Sequence, residues 1–430
     1  TGFASVLPDY DAVIFDEAHQ LEDTATLVFG SRLSSTMLER LVRDARVAMR
    51  GERGGSQHET RLLDAVLQQA SNFFTALPRQ SNGGRAPLPP ESIPEPELFA
   101  LDNVLAELAA SCRNLRPPRE NVLQIARRAD QLRDALGSLE SPGQVSWSLG
   151  GGRAPSVGSS PIDVGPLLRE RLHDRVPCIV FTSATLTTGG DFKFLKRRLG
   201  IEDEVSEEVV ESPFRYAEQA ALYAPTHLPD PRSPDFVDAA AREILELIRL
   251  SEGGAFVLCT SLRMMRVLSK SVGDELEYEW FVQGDAPKQT LLDRFRDHGN
   301  AVLFATASFW EGVDVPGSAL RLVIIDKLPF EVPSDPVVEA RCRRIDEAGD
   351  SSFMRYLVPA AALSLKQGFG RLIRTTQDRG VVAILDSRIR RRGYGKVFLR
   401  SLPPARVCDG LDEVRQLLVD SSDASTKEPS

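Results

Sequence analysis

Tyr10 to His19 reads YDAVIFDEAH. Apart from Asp11, its first six residues are apolar, with β-branched Val13 and Ile14 at the centre, and the run stops abruptly at Asp16-Glu17-Ala18-His19. That pattern predicts a buried strand that delivers charge at its carboxyl edge. Comparable runs recur at Cys178 to Thr182, Ala255 to Cys259, Ala301 to Ala305, Leu322 to Ile325 and Val381 to Leu385, with helical stretches such as Val237 to Leu250 between them. Alternation of this kind predicts an α/β fold in which helices cover parallel sheets.

Between about Leu21 and Leu139 the period changes. Leu98, Leu101, Val104, Leu105 and Leu108 repeat on one helical face, as do Val122, Ile125, Ala129, Leu132 and Leu136, which predicts a mostly helical insertion. Gly51 to Gly55, Gln80 to Pro96 and Pro117-Pro118 break it into loops. A soft stretch from Ser141 to Ser160, with Trp147 as a local anchor, returns the chain to the first domain. At roughly 150 residues per domain, 430 residues predict about three domains. The expected division is 1–24 with 161–205, an insertion over 25–160, a second domain over 206–420, and a small polar, disordered tail over 421–430. No repeat of fixed period is present.

The composition, 42% hydrophobic and 26% charged, is that of a globular chain. A net charge of −9 gives no global attraction to phosphate backbones, so any nucleic-acid site must be a local basic groove. Cys112, Cys178, Cys259, Cys342 and Cys408 form no C-x-x-C pair, which predicts a reducing, cytoplasmic setting and no metal site built from them. No apolar run reaches the roughly 18 residues that would span a bilayer, so no membrane partner is expected. The chain opens at Thr1 without Met, so targeting cannot be read from its start.

Phosphoryl transfer from a nucleotide requires one carboxylate to hold Mg²⁺ and a second to orient or deprotonate water. Asp16 and Glu17 suit these roles, with Asp16 as the metal ligand. The same acids could instead cap the helix beginning near Ala18, or form a metal hydrolase site with His19. Farther on, Ser183 and Thr185 end a second strand in VFTSATL, where Ser-Ala-Thr is equally a sound helix cap. SFWEGVDVPG, Ser308 to Gly317, reads alternatively as a Gly/Pro turn after a strand. In QGFGRLIRTTQDRGVVAILDSRI, from Gln367, Arg371 and Arg374 are three apart, which predicts one helix face carrying two guanidiniums toward a phosphate. Alone, that segment could be a solvated basic helix, and Arg388 to Arg392 could be a phosphate contact or a solvated run.

Taken together and in order, these segments resemble motifs II to VI of the XPD-like group of superfamily 2 helicases, and within it the bacterial DinG type, YoaA-like members included. VIFDEAHQLED resembles motif II and VFTSATL motif III; SFWEGVDVPG resembles motif V and QGFGRLIR motif VI, with Gln367, Gly370, Arg371 and Arg374 at the Q-x-x-G-R-x-x-R spacing. ESPFRYAEQAALYAP resembles the segment after motif III, and GGAFVLCTSLRMM resembles motif IV. The resemblance runs from Tyr10 to about Gly395.

It implies two RecA-like domains, the first incomplete, with an arch-like insertion in the first. It also implies ATP and Mg²⁺ as cofactors, and single-stranded or forked DNA as the partner of a monomer that meets replication or repair proteins. Asp16, His19, Gly312, Asp314, Gln367, Arg371 and Arg374 would serve the nucleotide, with Asp16, Glu17, Arg371 and Arg374 catalytic. His19 and Gln367 could couple the two walls of the nucleotide site. Ser183, Thr185, Thr260, Ser261, Thr306 and Glu311 would contact DNA or couple it to the nucleotide.

The 430 residues contain no G-x-x-x-x-G-K-S/T loop: the one Gly-Lys pair, Gly395-Lys396, has Arg390 and Val397 at the flanking positions. The resemblance places that loop, and four cysteines of a 4Fe-4S cluster, before Thr1. The expectation is a 5′ to 3′ DNA helicase of repair or the damage response whose present stretch alone does not hydrolyse ATP. A P-loop-less DNA- or partner-binding relative and an RNA-directed or complex-remodelling ATPase stay open at this point.

Overall fold

The structure is a computed structural model that describes residues 10–49, 57–78, 84–117, 119–150, 154–202, 204–306, 309, 315 and 317–425, with side chains to residue 418 at the last end. The expected loop over Gly51 to Gly55 lies outside the described residues. The chain divides into two compact units, Thr1–Thr182 with Arg197–Ile201 and Val332–Ser352, and Ser183–Lys196 with Glu202–Glu331 and Phe353–Ser430.

The first unit holds β1 (Ala12–Phe15), β2 (Ser31–Ser34), β3 (Ala86–Pro87), β4 (Gln144–Leu149), β5 (Ser156–Pro161) and β6 (Cys178–Phe181). β1 and β6 form a parallel pair in which Phe15 faces Phe181, their rings stacked at 5.7 Å. The expectation of a buried strand fails here: Ile14 is 69% and Val180 44% exposed. Parallel strands are buried only when helices or further strands cover both faces, and the described sheet consists of these two strands.

Four long helices, Ser35–Met49, Gln57–Ala76, Glu95–Asn114 and Glu120–Gly137, make the insertion. Leu105, Ile125 and Ala129 meet in one apolar cluster, as their spacing predicts, and Leu41 and Val66 join them there. Within the stretch over 141–160, residues 144–149 and 156–160 are strand rather than soft linker. β4 and β5 pair along six residues and join β2 and β3 in an antiparallel sheet. A Ser/Gly-rich segment can be a strand here because its neighbours come unusually close: a Cβ at Gly158 would stand 2.3 Å from the Ser31 carbonyl oxygen and 2.6 Å from the Trp147 ring. Trp147 is the anchor expected, donating from Nε1 to Ser160 Oγ at 3.0 Å.

Residues 332–352, expected in the second domain, cluster instead with the first unit. The cause is polar and buried. Arg341, on the helix Pro336–Glu347, pairs with Glu22 at 3.0 Å and donates to Thr26 Oγ1 and the Ile162 carbonyl. Arg198 also pairs with Glu22, and Arg85 with Asp335.

The second unit contains β7 (Ala220–Tyr223), β8 (Ala255–Cys259), β9 (Trp280–Val282), β10 (Val302–Thr306), β11 (Leu322–Ile325), β12 (Gly380–Ile384) and β13 (Arg406–Cys408). Among the described residues they form one seven-stranded sheet in the order β13-β7-β12-β11-β8-β10-β9, parallel throughout. Along β8, Phe256 and Leu258 enter one apolar cluster, while Ala255, Val257 and Cys259 enter another. Both faces are therefore covered, which is why these strands read as continuous apolar runs. Residues 183–196 and 202–205, expected in the first domain, cluster with this unit, where Gly189 N donates to Ser401 Oγ and Lys366 Nζ reaches Thr187 Oγ1. The final helix, Leu411–Ser425, continues past 421, where a disordered tail was expected. Val414, Leu417 and Leu418 anchor it, and once nucleated a helix adds one hydrogen bond per residue. Residues 426–430 lie outside the described residues.

Candidate functional site

In the first unit the acidic pair stands where β1 ends. Ala18 N donates to the Thr182 carbonyl and Thr182 N to the Phe15 carbonyl, so the ladder with β6 continues past both strands. Glu17 is held at φ 50°, ψ 42°, a left-handed conformation that costs a non-glycine residue about 1 kcal/mol and clusters at functional sites. Asp16 Oδ1 accepts from Glu17 N at 2.9 Å, and His19 Nδ1 lies 3.2 Å from Glu17 Oε2. The short turn Ala18–Gln20 takes no side-chain cap from Glu17, so capping does not account for the pair.

Asp16 and Glu17 are exposed, and among the described residues no three His, Cys, Asp or Glu side chains are grouped to hold a metal. An exposed carboxylate at a strand end is the kind of donor Mg²⁺ takes, since that ion keeps its waters and uses only one or two carboxylates beside substrate phosphates.

In the second unit the polar residues collect at the carboxyl ends of the strands, where open α/β sheets bind ligands. Thr260, after β8, donates from N and Oγ1 to Asp326, which ends β11. Burial pushes the Asp326 carboxyl up to about 7, against the opposing pull of Thr260's bonds and the Lys327 charge. Thr306, at the end of β10, donates from N and Oγ1 to Gln283 Oε1. Asp386, fully buried after β12, accepts from Leu328 N and from the Arg388 guanidinium at 2.6 and 2.8 Å.

Two hydroxyls make local backbone contacts instead. Ser261 Oγ caps the helix Leu262–Gly273 by accepting from Met264 N, and Ser183 Oγ accepts from Thr185 N in a local turn. Glu311, Gly312 and Asp314 lie outside the described residues.

The two arginines of the Gln367 segment are not on a helix. Gln367 is half-buried on the helix Val358–Phe369, which stops at Gly370, and Arg371 and Arg374 follow in a turn. Asp378 holds the far end of this turn. Its carboxylate accepts from Arg374 N at 2.7 Å, Thr375 N at 2.8 Å, Thr375 Oγ1 at 2.7 Å and Gly317 N at 3.2 Å. Backbone donors captured this way are lost to helix propagation. Gln219 completes the turn, donating from Nε2 to the carbonyls of Thr375 and Asp378. Lys366, one residue before Gln367, has its ammonium pKa lowered by burial.

Residues 244–405 match the helicase C-terminal domain family. Across 431 residues the chain is 38% identical to the ATP-dependent DNA helicase YoaA of Escherichia coli, covering 98% of this chain and 67% of that protein. It is 31% identical over 454 residues to the ATP-dependent helicase DinG of Mycobacterium tuberculosis, covering 96% of this chain and 63% of the relative. The chain belongs to the YoaA and DinG family of helicases.

The resemblance carried by the motifs is thereby confirmed. As a member of this family the chain spans about two thirds of the length of the curated relatives it matches. A solved structure called XPD_Helicase shares the fold at a TM-score of 0.60 and 15% identity, over 94% of this chain and 70% of that one. No described helix is long and apolar enough to cross a membrane.

Sequence reading missed Asp378, Gln219, Asp326 and Gln283. Asp378 lay inside the quoted segment but carried no motif role. The others sit at strand ends or in a short helix, with nothing local to show that a distant backbone needs them.

Proposed function

We propose that the protein carrying this chain is an ATP-dependent DNA helicase that couples ATP hydrolysis to 5′ to 3′ translocation on single-stranded DNA and to duplex unwinding, in DNA repair or the damage response. The observation that carries the reading is the exposed Asp16-Glu17 pair at the end of a parallel strand, with Glu17 in a strained conformation, in a chain of the YoaA and DinG family.

In this reading Asp16 holds Mg²⁺ beside the nucleotide phosphates, and Glu17 orients and deprotonates the attacking water. Arg371 and Arg374 meet the charge that develops on the transferred phosphoryl group, a role suited to a planar cation that never deprotonates. His19, Gly312, Asp314 and Gln367 serve the nucleotide; Ser183, Thr185, Thr260, Ser261, Thr306 and Glu311 serve DNA or its coupling to the nucleotide. When bound, Mg²⁺ supplies Lewis-acid polarisation of phosphoryl oxygen. A 4Fe-4S cluster held by other residues of the whole protein, single-stranded or forked DNA as partner, action as a monomer and a cytoplasmic setting belong to the same proposal. Because these 430 residues hold no G-x-x-x-x-G-K-S/T loop, the stretch by itself hydrolyses no ATP.

Glu17→Gln in the full-length protein tests the assignment. The variant should bind ATP as the wild type does and turn over at least about a hundredfold more slowly. Retained turnover would remove Glu17 as the base.

A further inference from the structure

Asp378 organises more than its own turn. Its two carboxylate oxygens accept four hydrogen bonds, two from backbone amides at Arg374 and Thr375, one from the Thr375 hydroxyl, and one from Gly317 N, sixty-one positions earlier. Gly317 closes the SFWEGVDVPG decapeptide and has φ +84°. Asp378 is 6% exposed. From the other side Gln219, also buried, holds the Thr375 and Asp378 carbonyls, while its own Oε1 accepts from Arg215 N at 2.8 Å. Three segments distant in sequence, ending at Gly317, beginning at Arg215 and running from Arg374 to Asp378, are thus fastened to one turn.

We infer that Asp378 is a positioning residue that fixes the backbone of Arg374, and with it the direction of that guanidinium, while tying the same turn to Gly317. The inference rests on the proposed reading of Arg374 as a residue that meets phosphoryl charge. Four donors converging on one buried carboxylate leave the turn no second arrangement without exposing unpaired amides. Asparagine cannot replace it, because the amide nitrogen would face donors that already occupy the position.

The test uses the full-length protein. Asp378→Asn should lower kcat for ATP about 10- to 100-fold, the cost of misplacing a reacting group by roughly 1 Å, with KM for ATP within about threefold of wild type. The decisive readout is a double-mutant cycle: Asp378→Asn combined with Arg374→Ala should be no slower than Arg374→Ala alone, since both remove the same aimed charge. Multiplicative losses, an unchanged kcat, or a rise in KM with kcat intact would each overturn the inference.

Thr375→Ala keeps the carboxylate and removes one donor, so it should give a smaller drop of the same kind if Asp378→Asn does not fold. Amide hydrogen exchange reads the clamp without any activity. Gly317, Arg374 and Thr375 should be protected in the wild type and lose protection together in Asp378→Asn; independent exchange would refute the clamp. Should the wild type hydrolyse no ATP while the three amides behave as one, the clamp stands and the nucleotide reading of Arg374 falls.

Discussion

Asp326→Asn should stabilise the second unit at alkaline pH and leave it unchanged in acid. Asp326 has no solvent exposure, and burial raises its carboxyl from the ordinary 3.8 to about 7. Between those values the unfolded chain has released the proton and the native unit still holds it. Stability therefore falls as pH rises through the window and levels off above about 7. Three pKa units at 1.36 kcal/mol each give a difference of up to about 4 kcal/mol between pH 4 and pH 8.

Asparagine removes the titration while keeping the geometry. Its Oδ1 can accept from Thr260 N as the carboxylate does at 2.8 Å, and its amide can donate to Thr260 Oγ1. Urea unfolding of variant and wild type at pH 5, 6, 7 and 8, followed by a probe in the second unit, isolates the effect because all other groups titrate alike in both. The gain should grow with pH toward about 4 kcal/mol. A difference that is the same at pH 5 and pH 8 would refute the claim that Asp326 is protonated in the native state at acid pH.

Arg341→Ala should destabilise the first unit by about 3 kcal/mol, the lower end of the usual cost of breaking a buried pair, because Arg198 still accompanies Glu22. A loss under about 1 kcal/mol in denaturant unfolding would mean the residue does not hold 332–352 to the unit. Gly158→Ala should lower the thermal midpoint of the first unit through overpacking of about 1 to 3 kcal/mol, since neither the Ser31 carbonyl nor the Trp147 ring can yield freely. An unchanged midpoint would show that β4 and β5 are looser than described.

What the sequence disclosed follows from how local each cause is. The runs at Ala255 to Cys259 and Leu322 to Ile325 are strands with the expected limits, because burial on both faces leaves only apolar residues between polar ends. Two of the four insertion helices, Glu95–Asn114 and Glu120–Gly137, were legible from the recurrence of Leu105 and Ile125 with their neighbours. β4 and β5 were not, because serine and glycine signal loops unless a distant indole fills the space, and Trp147 supplies that space-filling only in three dimensions. Arg371 and Arg374 were read as helical since their spacing is helical; the far end of the turn they occupy is held by Asp378 and Gln219, and Gln219 lies more than 150 positions away. The acidic pair itself was legible, while the left-handed backbone of Glu17 was not, because nothing in the residue type favours it.

ATP hydrolysis by the full-length protein, measured with and without single-stranded DNA and with RNA of equal length, tests the central claim most directly. The account predicts turnover stimulated by DNA and abolished by Glu17→Gln. Turnover indifferent to DNA, equal stimulation by RNA, or no hydrolysis at all would contradict it.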